Sequence, residues 1–403
     1  MGEVKLSREV GLVLLLLYGL GNILGAGIYV LIGKVAGISG YFSIFAFLLA
    51  CVVALFTALS YTELASRYPV SAGEAVYVQE GMGSKKLSIM VGMLIAVAGL
   101  VSSATLINGF VGYLKQFVDL NAEFSMILLI LILVSVSIKG IKASVIFAAV
   151  LTLIEVFGLL LIIYYGFDGI INVKIALTEF IPSFDFSDIS MIVLGAFLAF
   201  YAFIGFEDMV NIAEEVKDPA KTFPRAIALA LAISTLLYIL VLLVAFDTLS
   251  LDALKNSTAP FADIYQKLTG KDPVLISIIG MFAVINGALI QMIMASRIVY
   301  GMSVNGWLPI CFSKVSPKTK TPIRSTLLVG MITAVFALFF DIVSLASFSS
   351  LLVLIVFTLV NVSLIKIKSL TIQPQGVVQI PLWVPWSGML LNLSLIFLSV
   401  IAV

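Results

Sequence analysis

The sequence consists mainly of long apolar runs separated by short polar segments. Most runs reach the roughly 20 residues that an α-helix needs to cross a bilayer. The alternating segments of about ten residues that mark a membrane β-barrel are not seen. The pattern predicts an all-α polytopic membrane protein with about eleven transmembrane helices. The predicted spans cover approximately residues 11–33, 42–64, 87–113, 124–138, 143–166, 189–210, 225–247, 273–300, 325–341, 343–365 and 383–403.

The composition excludes a soluble protein. Of the 403 residues, 62% are hydrophobic and 11% are charged, against roughly 45–50% and 25% in soluble domains. One soluble core cannot hold the excess, because single cores stop growing near about 250–300 residues. The net charge is +1 and the charges are dispersed between the runs, so membrane lipid is the expected surrounding and a nucleic-acid partner is not expected.

The basic residues are distributed unevenly between the two sides of the predicted helices. Counted over alternate loops, 17 of the 23 lysines and arginines lie on the side of the N-terminus and six lie on the other. Cytoplasmic loops carry the excess of basic residues. We therefore expect a multi-pass protein of the cell membrane with its N-terminus in the cytoplasm.

Residues that commonly build enzyme and metal sites are scarce. Histidine is absent, and the two cysteines, Cys51 and Cys311, lie in an apolar run and in a basic loop. No cluster has metal-ligand spacing, and no nucleophile is paired with a base. We expect no enzyme activity, no cofactor and no metal. A channel or a membrane scaffold is the alternative from another class, and a channel would show conductance without saturable substrate binding.

Two predicted spans are interrupted. The first contains Gly21-Asn22-Ile23-Leu24-Gly25-Ala26-Gly27-Ile28, and the sixth contains Phe203-Ile204-Gly205-Phe206-Glu207-Asp208. Breaks at corresponding places in two halves point to an inverted repeat with a site at the membrane midplane. We predict one transporter domain over 1–403 with broken first and sixth helices. Its parts are a first repeat over about 11–167, a second over about 189–367 and an extra helix at 383–403.

Such breaks can bind a zwitterion. A break exposes free N–H groups at the start of one half-helix and free C=O groups at the end of the other. The amides suit a carboxylate and the carbonyls suit an ammonium. Alternatively, the Gly-x-Gly pattern serves close helix packing. Glu207 either holds the broken helices or ends a cytoplasmic helix, and Asp208 is expected to lie in a loop.

Glu155 stands at the centre of the fifth predicted span. A charge there costs about 2.5–3.5 kcal/mol on insertion scales, so the carboxyl is expected to be neutral or paired across helices. It is a candidate for ion or proton coupling. The alternative is a protonated side chain that hydrogen-bonds a neighbouring helix.

Two further features stay open. Polar residues of the third and eighth spans could line a side-chain pocket or only pack in the core. The segment 249–272 is expected to be external, with a short helix from Pro260 to Leu268 that either plugs the mouth or only connects two spans. The candidate pocket residues are Ser102, Ser103, Thr105, Asn108, Asn286 and Gln291.

Four motifs extend over nearly the whole chain in the order found in one transporter superfamily. On these motifs the sequence resembles the amino acid–polyamine–organocation superfamily, which implies a five-plus-five inverted-repeat fold. The motifs are Gly25-Ala26-Gly27-Ile28-Tyr29, then Tyr61-Thr62-Glu63-Leu64 with Tyr68-Pro69, Gly73-Glu74 and Tyr77, then Phe203-Ile204-Gly205-Phe206-Glu207 with Glu214-Glu215, Asp218-Pro219 and Pro224-Arg225-Ala226-Ile227, and finally Ser296-Arg297 with Tyr300-Gly301-Met302, Asn305-Gly306, Leu308-Pro309 and Thr321-Pro322.

The resemblance implies roles for particular groups. The amides of Gly25, Ala26 and Gly27 would hold the substrate carboxylate, and carbonyls before the two breaks would hold the amino group. An aromatic residue of the sixth span, Tyr201 or Phe203, would gate the site. The carbonyls map to Ile23, Tyr201, Ala202 and Ile204.

One position departs from the superfamily pattern. Many proton-coupled members place a lysine in the fifth span against the first break, and here that position holds Glu155. A lysine can replace a sodium ion, whereas a carboxyl could bind a proton or help to coordinate a cation.

The expected function is secondary active amino acid transport by alternating access, as proton-coupled symport of neutral amino acids, by a monomer or homodimer. An amino acid exchanger without ion coupling is one alternative. Transport of cationic amino acids or polyamines is another.

Overall fold

A computed structural model describes residues 10–70, 73–115, 117–138, 141–171, 179, 181–183, 185–319, 321–370 and 377–401. Over these residues the chain is predominantly helical. The only β contact among them is an isolated parallel bridge between Val10 and Val216, where the Lys217 amide also donates to the Val10 carbonyl at 2.9 Å. The all-α class predicted from the apolar runs is confirmed.

The α-helices are numbered here in chain order. They are α1 (Leu12–Ser39), α2 (Ser43–Arg67), α3 (Gly73–Met82), α4 (Lys85–Leu114), α5 (Ala122–Ile138), α6 (Ile141–Tyr165), α7 (Phe167–Ile171), α8 (Phe186–Phe200), α9 (Pro219–Thr248), α10 (Leu251–Asn256), α11 (Pro260–Thr269), α12 (Val274–Val304), α13 (Ile323–Phe339), α14 (Ile342–Leu370) and α15 (Trp383–Ile401).

Each predicted span corresponds to an apolar helix. Eight stretches of the described chain are long and apolar enough to cross a membrane, and the first of them, Leu12–Arg67, holds the first two predicted spans. The shorter apolar helices α5 and α13 account for two more. Large apolar side chains on outward faces, such as Leu131, Phe157 and Phe397, are more than half exposed, as expected of surfaces that contact lipid.

The two halves of the chain have the same order of elements. Two spans, α1 and α2, are followed by the short helix α3 and by three more spans, α4 to α6. In the second half, the span built on α8 and the next span, α9, precede the short helices α10 and α11, and α12 to α14 follow. The predicted repeat and its inversion both stay predictions.

The predicted break in the first span is wrong, because α1 is helical without interruption from Leu12 to Ser39. Its glycines lie where neighbouring helices come too close for a side chain. A Cβ at Gly21 would collide with Thr152, one at Gly25 would lie 2.7 Å from the Ala283 carbonyl oxygen, and one at Gly27 would collide with Ala202. The packing explanation of Gly-x-Gly therefore holds, since a helical glycine permits close approach without breaking the helix.

The predicted break in the sixth span is confirmed. Helix α8 ends at Phe200, and a single 3₁₀ turn covers Tyr201–Phe203. Ile204 is extended, and Gly205 has φ of +133°. Glycine adopts this backbone conformation readily and other residues rarely do. The chain then continues as a 3₁₀ helix over Glu207–Glu215.

Candidate functional site

The break in the sixth span is held by Glu207 and Asn22. The Gly205 amide donates to Glu207 Oε2 at 2.8 Å, and Asn22 Nδ2 donates to the Gly205 carbonyl at 3.4 Å. All three residues are buried. A buried amide without a partner is costly, so Glu207 stabilises the broken backbone, as one of the two sequence hypotheses expected.

Asp208 lies inside the helix bundle, and its predicted loop position is wrong. It is fully buried, and its Oδ2 accepts hydrogen bonds from Asn22 on α1 and, at 2.7 Å, from Gln291 on α12. Its Oδ1 has no partner among the described residues. After Gly205 the chain does not leave the bundle but continues through it as a 3₁₀ helix, which keeps Asp208 among its neighbours.

The hydroxyl of Tyr238, on α9, joins the first span to the break in the sixth. It lies 2.8 Å from the Ile23 carbonyl oxygen and 2.8 Å from the Ala202 carbonyl oxygen. A tyrosine hydroxyl carries one proton, so it can donate to only one of the two oxygens at a time. Two carbonyls that the family resemblance assigns to an amino group thus converge on one point.

The remaining residues of the break are fully enclosed. The Tyr201 hydroxyl lies 2.9 Å from Ser102 Oγ and 3.1 Å from the Ser102 carbonyl oxygen, which fixes this ring against α4. Phe203 packs edge-on against Phe47 and Tyr238, with ring centroids 6.4 Å and 5.4 Å away. Ile204 is 2% exposed. Both gate candidates therefore line the same closed region.

The predicted carboxylate-binding residues lie in the middle of α1. Gly25 faces α12 at Ala283, and Gly27 faces the Ala202 backbone. Ala26 is part of the same helix, and its side chain lies outside the described structure. Because α1 is continuous, the amides of this turn bond within the helix in the regular α-helical pattern.

Glu155, on α6, is buried where this helix faces α12. Its Oε1 accepts from Asn286 Nδ2 at 2.7 Å, and its backbone carbonyl accepts from the Tyr29 hydroxyl at 2.7 Å. Its Oε2 has no partner among the described residues. Asn286 and Thr152 both lie against α1 at Gly21. The carboxyl therefore stands beside the first span with neutral partners.

The other candidate pocket residues divide into two groups. Ser102 and Gln291 contact the break directly, through Tyr201 and Asp208. The rest donate hydrogen bonds to backbone carbonyls. Their acceptors are the carbonyl of Ala288 for Ser103, that of Val101 for Thr105, and those of Ala104 and Ala337 for Asn108.

The predicted short helix Pro260–Leu268 is present as α11, and its external position stays a prediction. Lys34, near the C-terminal end of α1, donates to the Lys255 carbonyl at 2.8 Å, shortly before α11. Gly33 on α1 has no room for a side chain against the Leu254 carbonyl. The loop is thus packed onto the end of α1.

Comparison with known proteins identifies the family. A family model described as "Amino acid permease" matches residues 11–403. The chain belongs to this family of the amino acid–polyamine–organocation superfamily, as the sequence motifs predicted.

Several named relatives align over most of the chain. A vacuolar cationic amino acid transporter of Arabidopsis thaliana is 29% identical over 93% of this chain and 65% of its own length. The methylthioribose transporter of Bacillus subtilis is 28% identical over 90% of this chain and 82% of its own length. The branched-chain amino acid permease BcaP of the same bacterium is 27% identical, with 91% and 82% covered. The chain thus spans about two thirds of the plant relative.

Proposed function

We propose that this protein is a secondary active amino acid transporter that works by alternating access around α1 and the break at residues 201–206. Membership of the amino acid permease family and the names of the relatives support this function. The single observation that carries it is the convergence of the Ile23 and Ala202 carbonyl oxygens, each 2.8 Å from the Tyr238 hydroxyl.

We propose that this point receives the substrate amino group. A hydroxyl serves one of the two carbonyls at a time, whereas an ammonium has three donors and serves both at once. The neighbouring carbonyls of Tyr201 and Ile204 belong to the same break and complete the candidate ligand set. Substrate binding would then move Tyr238 away from one or both oxygens.

The substrate carboxylate is proposed to bind the amides of Gly25, Ala26 and Gly27. Because these amides lie in a continuous helix, the carboxylate must open this turn of α1, and the free amides then supply partial positive charge. Hydrogen–deuterium exchange tests the step: the amides of residues 25–27 should exchange faster with substrate than without it. Unchanged exchange in a protein that binds substrate would contradict it.

Neutral amino acids are the proposed substrates. The break is lined by apolar aromatic groups, including Phe47 and Phe203, and Glu155 is engaged with Asn286 rather than with the break. Cationic amino acids or polyamines are the second candidate, favoured by the plant relative's name. A thermal-shift screen of the purified protein with the twenty amino acids and common polyamines decides between them.

Proton coupling is proposed to use Glu155, whose buried Oε2 beside α1 has no partner among the described residues. The test is amino acid uptake into proteoliposomes by wild type and Glu155→Gln, with and without an imposed proton gradient. We expect Glu155→Gln to lose the response to the gradient while counterflow of substrate continues. An unchanged pH dependence would exclude Glu155, and a wild type that ignores the gradient but needs internal substrate would indicate an exchanger.

The proposed location is the cell membrane with a cytoplasmic N-terminus, on the basis of the Lys and Arg distribution. Labelling of single cysteines with a membrane-impermeant reagent tests it. The cysteine of Lys267→Cys should react with reagent added outside the cell. The cysteine of Lys85→Cys should react only after the membrane has been permeabilised.

A further inference from the structure

A second group of buried polar side chains lies near the break and has no part in the function proposed above. Glu74, on α3, is 2% exposed, and its Oε1 has no hydrogen-bond partner among the described residues. The hydroxyls of Tyr61 and Tyr77 are buried and equally unpaired among those residues. Three unpaired polar groups in one region are unusual, because buried polar atoms are nearly always hydrogen-bonded.

These groups connect α3 to the break. The Tyr61 and Tyr77 rings pack edge-on with centroids 6.1 Å apart, and Tyr61 also packs against Phe206 at 5.7 Å. Phe206 lies between Gly205 and Glu207 in the chain. Tyr61 therefore packs against the residue between Gly205 and Glu207, and Glu74, Glu207 and Asp208 are all close enough to act on its hydroxyl electrostatically.

The environment of Glu74 sets its pKa near neutrality. Helix α3 lies outside the membrane-spanning segments. Burial raises the pKa of Glu74 to about 8. Its own backbone amide and the nearby Tyr61 hydroxyl lower this pKa, and the negative charge of Asp208 raises it further. The Tyr61 hydroxyl is thus a near neighbour of this carboxyl, although it makes no hydrogen bond of normal geometry to any described residue.

The basic residues of the helices around α3 are either paired with Glu63 or exposed, as Lys366 of α14 is. Glu63, on α2, is paired with Arg67 at 2.5 Å and with Lys368 of α14 at 2.7 Å. Lys85 and Lys86 at the start of α4 are exposed. The charged and titratable groups that face Glu74 are thus the acids Glu207 and Asp208 and the phenols Tyr61 and Tyr77.

We propose that Glu74 exchanges protons between the cytoplasm and the buried Glu207–Asp208 pair, with the Tyr61 hydroxyl as the intermediate. This inference rests on the proposed transport function and orientation. In each transfer a proton from the carboxyl pair binds the Tyr61 oxygen while the Tyr61 hydroxyl proton passes to Glu74. Tyr61 ends the step unchanged, and Glu74 then releases its proton to the cytoplasm.

Such a path gives the buried Glu74 carboxyl a function. An isolated buried carboxylate is costly, and a paired or apolar residue would fill the site at lower cost. A group that is protonated below about pH 8 and charged above it changes state near the pH of a cytoplasm. Glutamine has the same shape and cannot titrate, so Glu74→Gln isolates this property.

The first experiment measures protonation without transport. Infrared difference spectra of purified wild type, Glu74→Gln and the control Glu80→Gln are recorded during a pH titration. Glu80 lies on the same helix and is exposed. We expect the wild-type spectrum to contain a protonated-carboxyl component that disappears near pH 8, that Glu80→Gln retains and that Glu74→Gln lacks, while the bands of Glu155 and the Glu207–Asp208 pair are common to all three proteins. A component near pH 8 of the same size in Glu74→Gln would overturn the assignment.

The second experiment measures transport in proteoliposomes at varied pH on the cytoplasmic face. Proton-driven uptake should fall at least about tenfold in Glu74→Gln and in Tyr61→Phe, in line with the loss of one proton-transfer group. Counterflow at equal pH should continue, and Glu80→Gln should match wild type. Loss of counterflow as well would indicate a structural role for Glu74 and overturn the proposal. If wild type itself shows no uptake, the proposed function fails while the infrared result still stands.

Discussion

The first and sixth spans both carry glycines at membrane depth, yet only one of them is broken. In α1 the glycines stay helical and admit Thr152, Ala283 and Ala202 to the helix surface. In the sixth span Gly205 takes φ of +133° and the helix ends. Glycine therefore has two uses here. In α1 the lack of a side chain leaves space for neighbouring segments, and at Gly205 it allows a backbone conformation that other residues rarely adopt.

The two spans also differ in what holds them. The break is secured by a side chain of its own segment, since Glu207 accepts from the Gly205 amide. Helix α1 depends on neighbouring helices, which contact it closely at several glycines. We therefore expect the break to persist through a transport cycle and α1 to be the element that changes its conformation.

The largest effect should come from Gly27→Ala. An added Cβ would collide with the Cα and Cβ of Ala202, and backbone cannot move aside as a flexible side chain can. We expect a loss of stability of about 3 kcal/mol, at the upper end for overpacked sites, together with loss of transport. Thermal unfolding in detergent measures it. Gly11→Ala is the control, because nothing lies within 4 Å of its Cβ; equal stability of the two variants would remove the packing explanation.

A smaller effect should follow from Gly205→Ala. Alanine is strained at φ of +133°, a cost of about 1–3 kcal/mol for such conformations, and its Cβ would lie 2.8 Å from Asn22 Nδ2. Thermal unfolding and substrate binding should both weaken. Gly270→Ala is a useful comparison, since Gly270 has φ of +66° and open space around it. If Gly270→Ala is the more harmful change, the break does not depend on backbone freedom at Gly205.

The smallest effect on stability should come from Tyr238→Phe. The change removes one hydroxyl between the Ile23 and Ala202 carbonyls, worth about 1 kcal/mol. Its effect on binding is more informative, because the hydroxyl occupies the point proposed for the amino group. Isothermal titration with substrate should show tighter binding if Tyr238 competes with the ammonium. Weaker binding would instead make Tyr238 a substrate ligand.

Much of the architecture follows from the sequence because the membrane imposes strict rules. Apolar runs of sufficient length must be helices where they meet lipid, so the eleven spans could be located to within a few residues. The break at Gly205 was also predictable, since it lies beside Glu207 and Asp208, which do not suit the middle of an apolar helix.

The continuity of α1 was not predictable from its residues. Glycine spacing is the same whether a helix breaks or packs closely, and only the neighbours at Thr152, Ala283 and Ala202 distinguish the two cases. Asp208 was misplaced for a similar reason. Its partner Gln291 is 83 residues away in the chain, and no local pattern relates them.

Tyr238 was missed entirely. It lies in an apolar helix as an ordinary aromatic residue, and its partners are 215 and 36 residues away. Long-range pairs of this kind become visible only when the helices are placed together. The available signal was weak: a tyrosine in the seventh span has a hydroxyl that must find an acceptor when it is buried.

The bridge between Val10 and Val216 has a mechanical consequence. It ties the start of α1 to the end of the 3₁₀ helix that follows the break, and the Lys217 amide reinforces it at 2.9 Å. We therefore expect the two ends to move together when either of them is displaced. If the turn at residues 23–27 opens, we expect the half of α1 before this turn to move together with residues 207–216. The half of α1 after the turn would stay in contact with α10 and α11.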